Sequence, residues 1–423
     1  MKKLILPLFC VISFLSHSQT EIRLMSYNLL NFPTGNLDGR VDTLYNILDY
    51  HRPHLLMIQE LKTSQGLSDV TDRMNDLGYG TFEHGTFVPQ VSSGGGGDFP
   101  LQQNIVFDTE IFQLKSESYI LTDVRDINEF VLYINDPLLE SGADTTFIYV
   151  YVAHLKSSTG ADNQALRLAM VEDWVDHVSG AVPTGSFTIF AGDFNIYTNT
   201  EAAYGVLTDE DNVIAMTDVF ASYGNWSGTN FSHKEILTQS TRENQIYNDG
   251  AGGGVDDRFD FILLSENMTN SESILQFEEG SFISLGNTGD CYNQSITDCD
   301  FSNPVPFDIL RSMYYLSDHL PQVCNLIFVG NVAVDDLAIE PSYSSYIDTE
   351  GRIHFNIEAP TSAKVKLHVS DPTGRLLHTE EFNVSPSNSH FITTESFSGK
   401  GVIIAHIFDG ERNLVSRLCA LNR

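Results

Sequence analysis

Ser317-Asp318-His319-Leu320-Pro321 sets a carboxylate and an imidazole side by side just ahead of the apolar run 323–328. Five other polar clusters hold equivalent places earlier in the chain. Tyr27-Asn28 follows the run 22–25, Gln59-Glu60 closes 55–58, Ala153-His154-Leu155-Lys156-Ser157 closes 147–152, and Gly192-Asp193-Phe194-Asn195 closes 187–191. Asp257-Arg258-Phe259-Asp260 opens the run 261–264. Short runs that are apolar throughout read as strands buried on both faces. Each polar cluster then stands where a buried strand meets a loop, and the clusters converge at one end of a sheet.

Between these runs the period changes from two to 3.6. Val41, Leu44, Ile47 and Leu48 recur at helical spacing ahead of 55–58, and Leu166, Met170, Trp174 and Val178 do so ahead of 187–191. Residues 104–107 and 129–134 add further strands. Two sheets packed face to face, with helices outside, satisfy all of these patterns.

Taken in this order, the clusters resemble the endonuclease/exonuclease/phosphatase superfamily, the metal-dependent phosphoesterases related to deoxyribonuclease I. The resemblance covers roughly residues 21–328. It implies an α/β fold, a four-layer α/β/β/α sandwich, and a divalent-metal phosphoesterase activity. After residue 328 the texture alters: 331–345 reads as a linker, and 353–357, 365–369, 376–382 and 402–408 are short alternating segments divided by turn residues such as Asp371-Pro372-Thr373-Gly374. That pattern predicts a small C-terminal β-sandwich domain over 346–423. Its stretches 371–377 and 398–404 resemble the C-terminal sorting domain of type IX secretion substrates in Bacteroidota. Glu340-Pro341-Ser342 stands where that domain usually opens with Pro-Asn-Pro. A generic accessory sandwich that binds a ligand is the plainer reading.

At the N-terminus, Lys2-Lys3, the apolar stretch 4–15 and Ser16-His17-Ser18 form the pattern of a secretory signal peptide, with cleavage expected after residue 18. The catalytic domain is therefore expected over 19–330, exported to the exterior or the cell surface, with no stable membrane insertion. Export makes disulfides possible. Cys291 and Cys299 are spaced to clip the loop that leads towards Asp318, whereas Cys324, inside an apolar run, is expected as a buried thiol.

The formal charge is -33, from 23 basic against 56 acidic residues. A protein that lives on phosphate contacts carries a basic footprint, and this chain carries none. Tight, sequence-specific DNA binding is excluded; a nucleic-acid partner has to be a phosphodiester substrate gripped locally, without sequence specificity. The plain reading of the acidity is solubility in a salty exterior.

Phosphate-ester hydrolysis needs a cation to neutralise charge, a base to activate water, and donors for the transition-state oxygens. Glu60 is the best metal ligand, since Mg²⁺ or Mn²⁺ prefers carboxylate oxygen; the resemblance gives Glu60 that role too, with Asn28 and Asp318 close by. His319 is the candidate base, because imidazole titrates near neutrality. The resemblance pairs it with Asp260, the His–Asp half of a triad in which water replaces serine. Asp193 and Asn195, two apart on a strand extension, either orient water and phosphate or let Asp193 protonate the leaving group. An Asx-turn is the structural alternative at that place. His154 binds a phosphate oxygen or protonates the leaving alkoxide, and Lys156 offers positive charge on the same side. Deoxyribonuclease I-like members support the second His with a Glu just before the strand 104–107; residues 99–103 hold no acid here.

Two Gly-rich insertions, 92–98 and 249–257, read as mobile loops at the rim. The second carries Asp249, Asp256 and Asp257, so an additional structural Ca²⁺ is conceivable beside the simpler reading of a solvated acidic loop. The leading function is an exported metal-dependent nuclease or phosphodiesterase. A phosphomonoesterase or sphingomyelinase-like phospholipase uses the same scaffold, with 313–316 lining an apolar pocket; a non-catalytic binding module is the reading from another class.

Overall fold

The computed structural model describes residues 20–34, 39–92, 101–136, 139, 145–220, 226, 232–246, 249–299, 302–329, 343–348, 351–357, 363–371, 375–384, 390–397, 400–409 and 412–422. The expected signal peptide, most of the insertion 92–98, most of the linker and parts of both sorting-like stretches lie outside these residues. The chain divides into two compact units, with the main boundary between residues 331 and 332.

In the first unit the apolar runs become strands, as their pattern requires. A seven-stranded sheet contains β1 (Thr20–Phe32), β2 (Leu55–Leu61), β3 (Phe82–His84), β4 (Gln102–Asp108), β11 (Leu275–Phe277), β12 (Ile283–Ser284) and β13 (Gln322–Phe328), in the order β11-β13-β1-β2-β4-β3, with β12 also paired to β13. A six-stranded sheet runs β5-β6-β7-β8-β10-β9. Its members are β5 (Phe112–Ile120), β6 (Ile127–Ile134), β7 (Phe147–His154), β8 (Phe187–Asp193), β9 (Met216–Thr217) and β10 (Asp260–Ser265).

Alternate residues of each strand explain the layers. Ile22, Leu24, Leu55 and Met57 of the first sheet share one buried cluster with Ile148, Val150, Val152, Ile189 and Ala191 of the second, which is the interior between the sheets. Their neighbours Met25, Leu56, Ile58, Tyr151 and Phe190 face the opposite way, into the layers formed by helices. Those helices are α1 (Arg40–His51), α2 (Ser64–Asp76), α3 (Ala161–Ala181), α4 (Ala202–Leu207) and α5 (Phe307–Leu316) among the described residues. Trp174 of α3 stacks on Phe190 with ring centroids 4.6 Å apart. A strand buried on both sides has no polar face to show, hence the unbroken apolar runs.

The strand directions put the polar clusters together. β1 and β2 run parallel, as do β7 and β8, while β10 and β13 run antiparallel to their neighbours. The C-terminal ends of the first four therefore meet the N-terminal ends of the last two. Gly192 is required at this edge: a Cβ there, at φ 144°, would lie 1.9 Å from the Ala153 carbonyl oxygen. That close approach sets His154 opposite Asp193 in register.

The second unit holds two antiparallel sheets. The three-stranded one comprises β14 (Tyr343–Ile347), β15 (Ile353–Ile357) and β18 (His390–Ile392). The four-stranded one comprises β16 (Ala363–Ser370), β17 (Leu376–Val384), β19 (Lys400–Asp409) and β20 (Arg412–Asn422). β14 begins at Tyr343, inside the stretch read as linker, because Tyr343–Ile347 pairs along its whole length with Ile353–Ile357.

Arg258 turns out to be structural. Its Nη1 and Nη2 donate to Asp218 Oδ2 and Oδ1 at 2.9 and 2.8 Å, and the guanidinium lies 4.2 Å from the Phe261 ring centroid. Both side chains are buried. Burial alone would raise the Asp218 pKa, but the guanidinium holds it below the ordinary carboxylate value. A depressed carboxylate pKa contributes stability that is present at neutral pH and is lost as pH falls through the folded value. Arg258→Met leaves Asp218 buried without its guanidinium, with the Tyr204 hydroxyl and the Phe220 N–H as its remaining donors. We expect urea unfolding to show a loss of about 3–5 kcal/mol; a loss under about 1 kcal/mol would refute the structural role.

Candidate active site

Three cluster residues meet within one ligand's reach. Ligand atoms of Glu60, His154 and Asp193 all lie within 4.8 Å of one another. Glu60 takes a left-handed backbone, φ 63°, as do Leu30 (φ 48°) and Asn31 (φ 55°) on the facing strand. Such residues cost roughly 1–3 kcal/mol each and persist where the surroundings enforce them. Here the twist brings the Asn31 N–H to Glu60 Oε2 at 2.9 Å.

Asn28 works on its neighbours. Its Nδ2 donates to Glu60 Oε1 at 3.1 Å and to Asp193 Oδ2 at 3.0 Å, while its Oδ1 accepts from the Leu30 N–H. So oriented, Asn28 aims two carboxylates at the ligand position and keeps its own oxygen on the backbone. Asp318 stands to one side: Oδ2 accepts from the Ala251 N–H at 2.6 Å and from Gln239 Nε2 at 3.2 Å, and Oδ1 is buried without a partner. Ser317 joins the two halves of the site, donating from Oγ to the Asn28 carbonyl at 2.6 Å and accepting from the His319 N–H.

His319 and Asp260 are paired, Nδ1 to Oδ2 at 2.7 Å, both buried. The other ring nitrogen, Nε2, lies 3.7 Å from Asp193 Oδ2. His154 approaches the same oxygen through Nε2 at 3.5 Å. Its Nδ1 has no hydrogen-bond partner, and the nearest carboxylate, Glu60 Oε1, is 4.0 Å away. Residues 101–103, where β4 begins, hold no acid that could anchor this nitrogen.

The two imidazoles are pushed in opposite senses. Burial, reinforced by the Arg125 guanidinium, holds His154 well below its ordinary value. Burial also works against charge on His319, but Asp260, Asp193 and Asp318 outweigh it and hold its pKa well above the ordinary one. Groups whose environments drive them apart in this way mark acid and base positions. Burial raises the carboxyl pKa of Glu60, with Asp318 adding to the rise. It raises that of Asp193 as well, against the pull of His319.

A crowd of buried carboxylates with raised pKa, facing the unpartnered atoms His154 Nδ1 and Asp318 Oδ1, is uncompensated negative charge. Carboxylate oxygens with one imidazole fit a divalent cation. The donor set therefore suits the family of metals expected from the sequence, with Glu60 at its centre and Asp193 and His154 closer to it than Asp318.

Asn195 differs from the strand extension that its spacing suggests. β8 ends at Asp193, Asn195 takes φ 51°, and its N–H donates to Asp193 Oδ1 at 3.1 Å, an Asx-turn. Its side chain reaches the Leu155 carbonyl at 3.3 Å. Lys156 turns away, donating from Nζ to the Ser157 carbonyl. Arg125, whose Nη1 donates to the carbonyls of His154 and Leu155 at 3.2 and 2.9 Å, brings a guanidinium near enough to act on Glu60 and Asp193. No sequence signal singled out Arg125, which sits in a short connection between β5 and β6.

The Gly-rich insertion 249–257 is fastened to the site. Asp249 Oδ1 accepts from Asn31 Nδ2 at 3.2 Å, and a Cβ on Gly250 would lie 2.9 Å from Asp318 Cγ. The same oxygen of Asp249 accepts from the Gly250 N–H at 3.1 Å. Cys291 and Cys299 form the expected disulfide, and Cys324 is a buried free thiol. The clipped loop supports this insertion, with the Val255 N–H donating to the Gln294 carbonyl.

The model of the Endonuclease/Exonuclease/phosphatase family matches residues 25–319, a span that holds every residue described above except its outermost supports. Solved structures of low identity share the fold. The catalytic domain of human Nocturnin with bound sulfate is 20% identical, with a TM-score of 0.46, over 72% of this chain and 93% of that one. An endonuclease/exonuclease/phosphatase family protein from Bacteroides thetaiotaomicron is 13% identical, with a TM-score of 0.44, over 73% and 98%. A humanized D. rerio TDP2 is 16% identical, with a TM-score of 0.45, over 72% and 98%. No curated protein matches the chain.

Proposed function

The chain belongs to the endonuclease/exonuclease/phosphatase family and is a phosphoester hydrolase; on that premise we propose that it is an exported phosphodiesterase that cleaves nucleic acid without sequence specificity. One constellation carries the reading: the His319–Asp260 pair at 2.7 Å, with His319 Nε2 turned towards Asp193 beside Glu60 and His154.

Asp260 holds Nδ1, so the ring of His319 presents Nε2 to a water lined up on phosphorus and takes its proton. Neutralising the surrounding carboxylates lowers the raised pKa of this ring again, which returns the base to its active form. His154, kept neutral, contributes a hydrogen bond to a phosphoryl oxygen. Asp193, whose Oδ2 accepts from Asn28 Nδ2 and lies 3.5 and 3.7 Å from the Nε2 atoms of His154 and His319, is placed to orient the attacking water. Glu60, Asp193 and His154 would hold Mg²⁺ or Mn²⁺, which when bound supplies a Lewis acid for the phosphoryl oxygens. The charge of -33 argues for a grip confined to the scissile phosphate.

The decisive experiment incubates the purified protein with Mg²⁺, Mn²⁺ or Ca²⁺ on plasmid DNA, RNA, bis-p-nitrophenyl phosphate, a phosphomonoester and sphingomyelin. Metal-dependent cleavage of the nucleic acids and the small diester is the expected result. Turnover of sphingomyelin or the monoester alone would overturn the substrate class while leaving the hydrolase intact.

Every residue of the site precedes residue 330, so a chain ending there is expected to hydrolyse bis-p-nitrophenyl phosphate at near the full rate. The export reading rests on residues 1–18 and the sorting-like stretches. In the native host the same truncation is expected to stay in the periplasm. Normal release of the shortened protein would remove the sorting role, and loss of turnover would show that the C-terminal unit contributes to the site.

A further inference from the structure

We propose that Gln239 is a catalytic residue of this site, its side-chain amide donating to a phosphoryl oxygen of the bound ester; the proposal rests on the phosphoester-hydrolase reading above. Its backbone is fixed on two sides. The N–H donates to the Asp257 carbonyl at 3.0 Å, and the carbonyl accepts from the N–H groups of Asp256 and Asp257 at 2.8 and 2.9 Å. Residue 239 also bridges to His319 and Asp257, and the adjoining Thr238 carbonyl accepts from the Leu320 N–H at 2.8 Å. The position of the amide is therefore set by the same strands that set the base.

The side-chain Nε2 lies 3.2 Å from Asp318 Oδ2 and 2.6 Å from His319 Nε2. An amide oxygen at that place would face a carboxylate, so the nitrogen is the inward end. An amide nitrogen carries two hydrogens. One satisfies Asp318. The other points at the ring nitrogen that must receive the proton of the attacking water, with Asp193 Oδ2 only 3.7 Å beyond that nitrogen.

For His319 to act as base, the attacking water and the phosphoryl group have to stand beside its Nε2, next to Asp193 and Gln239. The Gln239 nitrogen stays where Asp318 and the backbone hold it, and its second N–H turns from the ring nitrogen to a phosphoryl oxygen, which frees Nε2 for the proton of the water. A donor already held in place stabilises the charge that develops in the transition state without reorganising.

The test compares wild type, Gln239→Leu and Gln239→Glu on bis-p-nitrophenyl phosphate and on the two stereoisomers of a phosphorothioate diester. For Gln239→Leu, kcat is expected to fall about 10²–10³-fold with KM changed far less, the size seen when one oxyanion donor is removed. Wild type is expected to prefer one isomer, because sulfur accepts poorly from an amide N–H, and Gln239→Leu to lose that preference. Calorimetric Mn²⁺ binding equal to wild type checks that the site remains assembled. Unchanged kcat, or an isomer preference that survives in Gln239→Leu, overturns the role of Gln239 while leaving the hydrolase standing. A wild type inert on every phosphoester tested overturns both.

Discussion

Glu60→Gln is expected to lower metal-dependent turnover by roughly 10³-fold, the several kcal/mol that a catalytic cation supplies, while unfolding free energy stays within about 1 kcal/mol of wild type. The two expectations have one source. Glu60 lies at the centre of the only three-residue ligand group found among the described residues, so removing its charge removes the strongest donor for the ion. The same charge is a burden to the fold: burial and Asp318 both oppose ionisation of Glu60. An isosteric amide relieves that burden and gives up a charge-assisted acceptor of the Asn28 and Asn31 donors. These changes act against each other, so stability moves little although chemistry is lost. Calorimetry with Mn²⁺ decides the matter: an affinity in Glu60→Gln equal to wild type would remove Glu60 from the metal site, whatever happened to the rate.

The layers of the fold were legible because burial on both faces leaves a mark that needs no context. The run 55–58 is apolar at every position and 187–191 at every position but Thr188, and each extends in the structure to the polar residue that ends it, Glu60 inside β2 and Asp193 closing β8. The titratable part of the site was legible for a related reason, since an acid or imidazole at the end of a buried strand has few structural excuses. What sequence could not carry is contact between distant neutral groups. Gln239 matters through an atom 80 residues further on, and nothing in Thr238-Gln239-Ser240 distinguishes it from a loop glutamine. Arg125 acts through the carbonyls of His154 and Leu155 at the end of β7, and Asn195 abandons the strand because an Asx-turn satisfies Asp193 Oδ1 locally. The short strands β3, β9, β11 and β12 span two or three residues each, too few for a period to show. Glycine told its story in one place only: Gly192 before Asp193 marks the point where β7 and β8 nearly touch.

His319→Ala and Asp260→Asn are expected to fail together rather than in sequence. His319→Ala removes the base, and a general base is worth about 10²–10⁴-fold. Asp260→Asn keeps the shape but exchanges a charge-assisted partner for an amide. The imidazole then loses the contact that fixes its tautomer, and the first of the carboxylates that hold its pKa up. Asp260 makes its one side-chain hydrogen bond to the ring, from Oδ2 to Nδ1, and its Oδ1 is buried without a partner. Once the ring is gone, there is nothing left for Asp260 to orient. The double variant should therefore be no slower than His319→Ala within a factor of about three, the behaviour of residues that act as one unit. Single-turnover rates on bis-p-nitrophenyl phosphate at saturating Mn²⁺ measure all four corners of the cycle. If the double loss equals the product of the two single losses, Asp260 acts on the substrate or the ion by a route of its own. The 2.7 Å contact would then be a feature of the fold, and the base would have to be sought among the remaining groups that face Asp193.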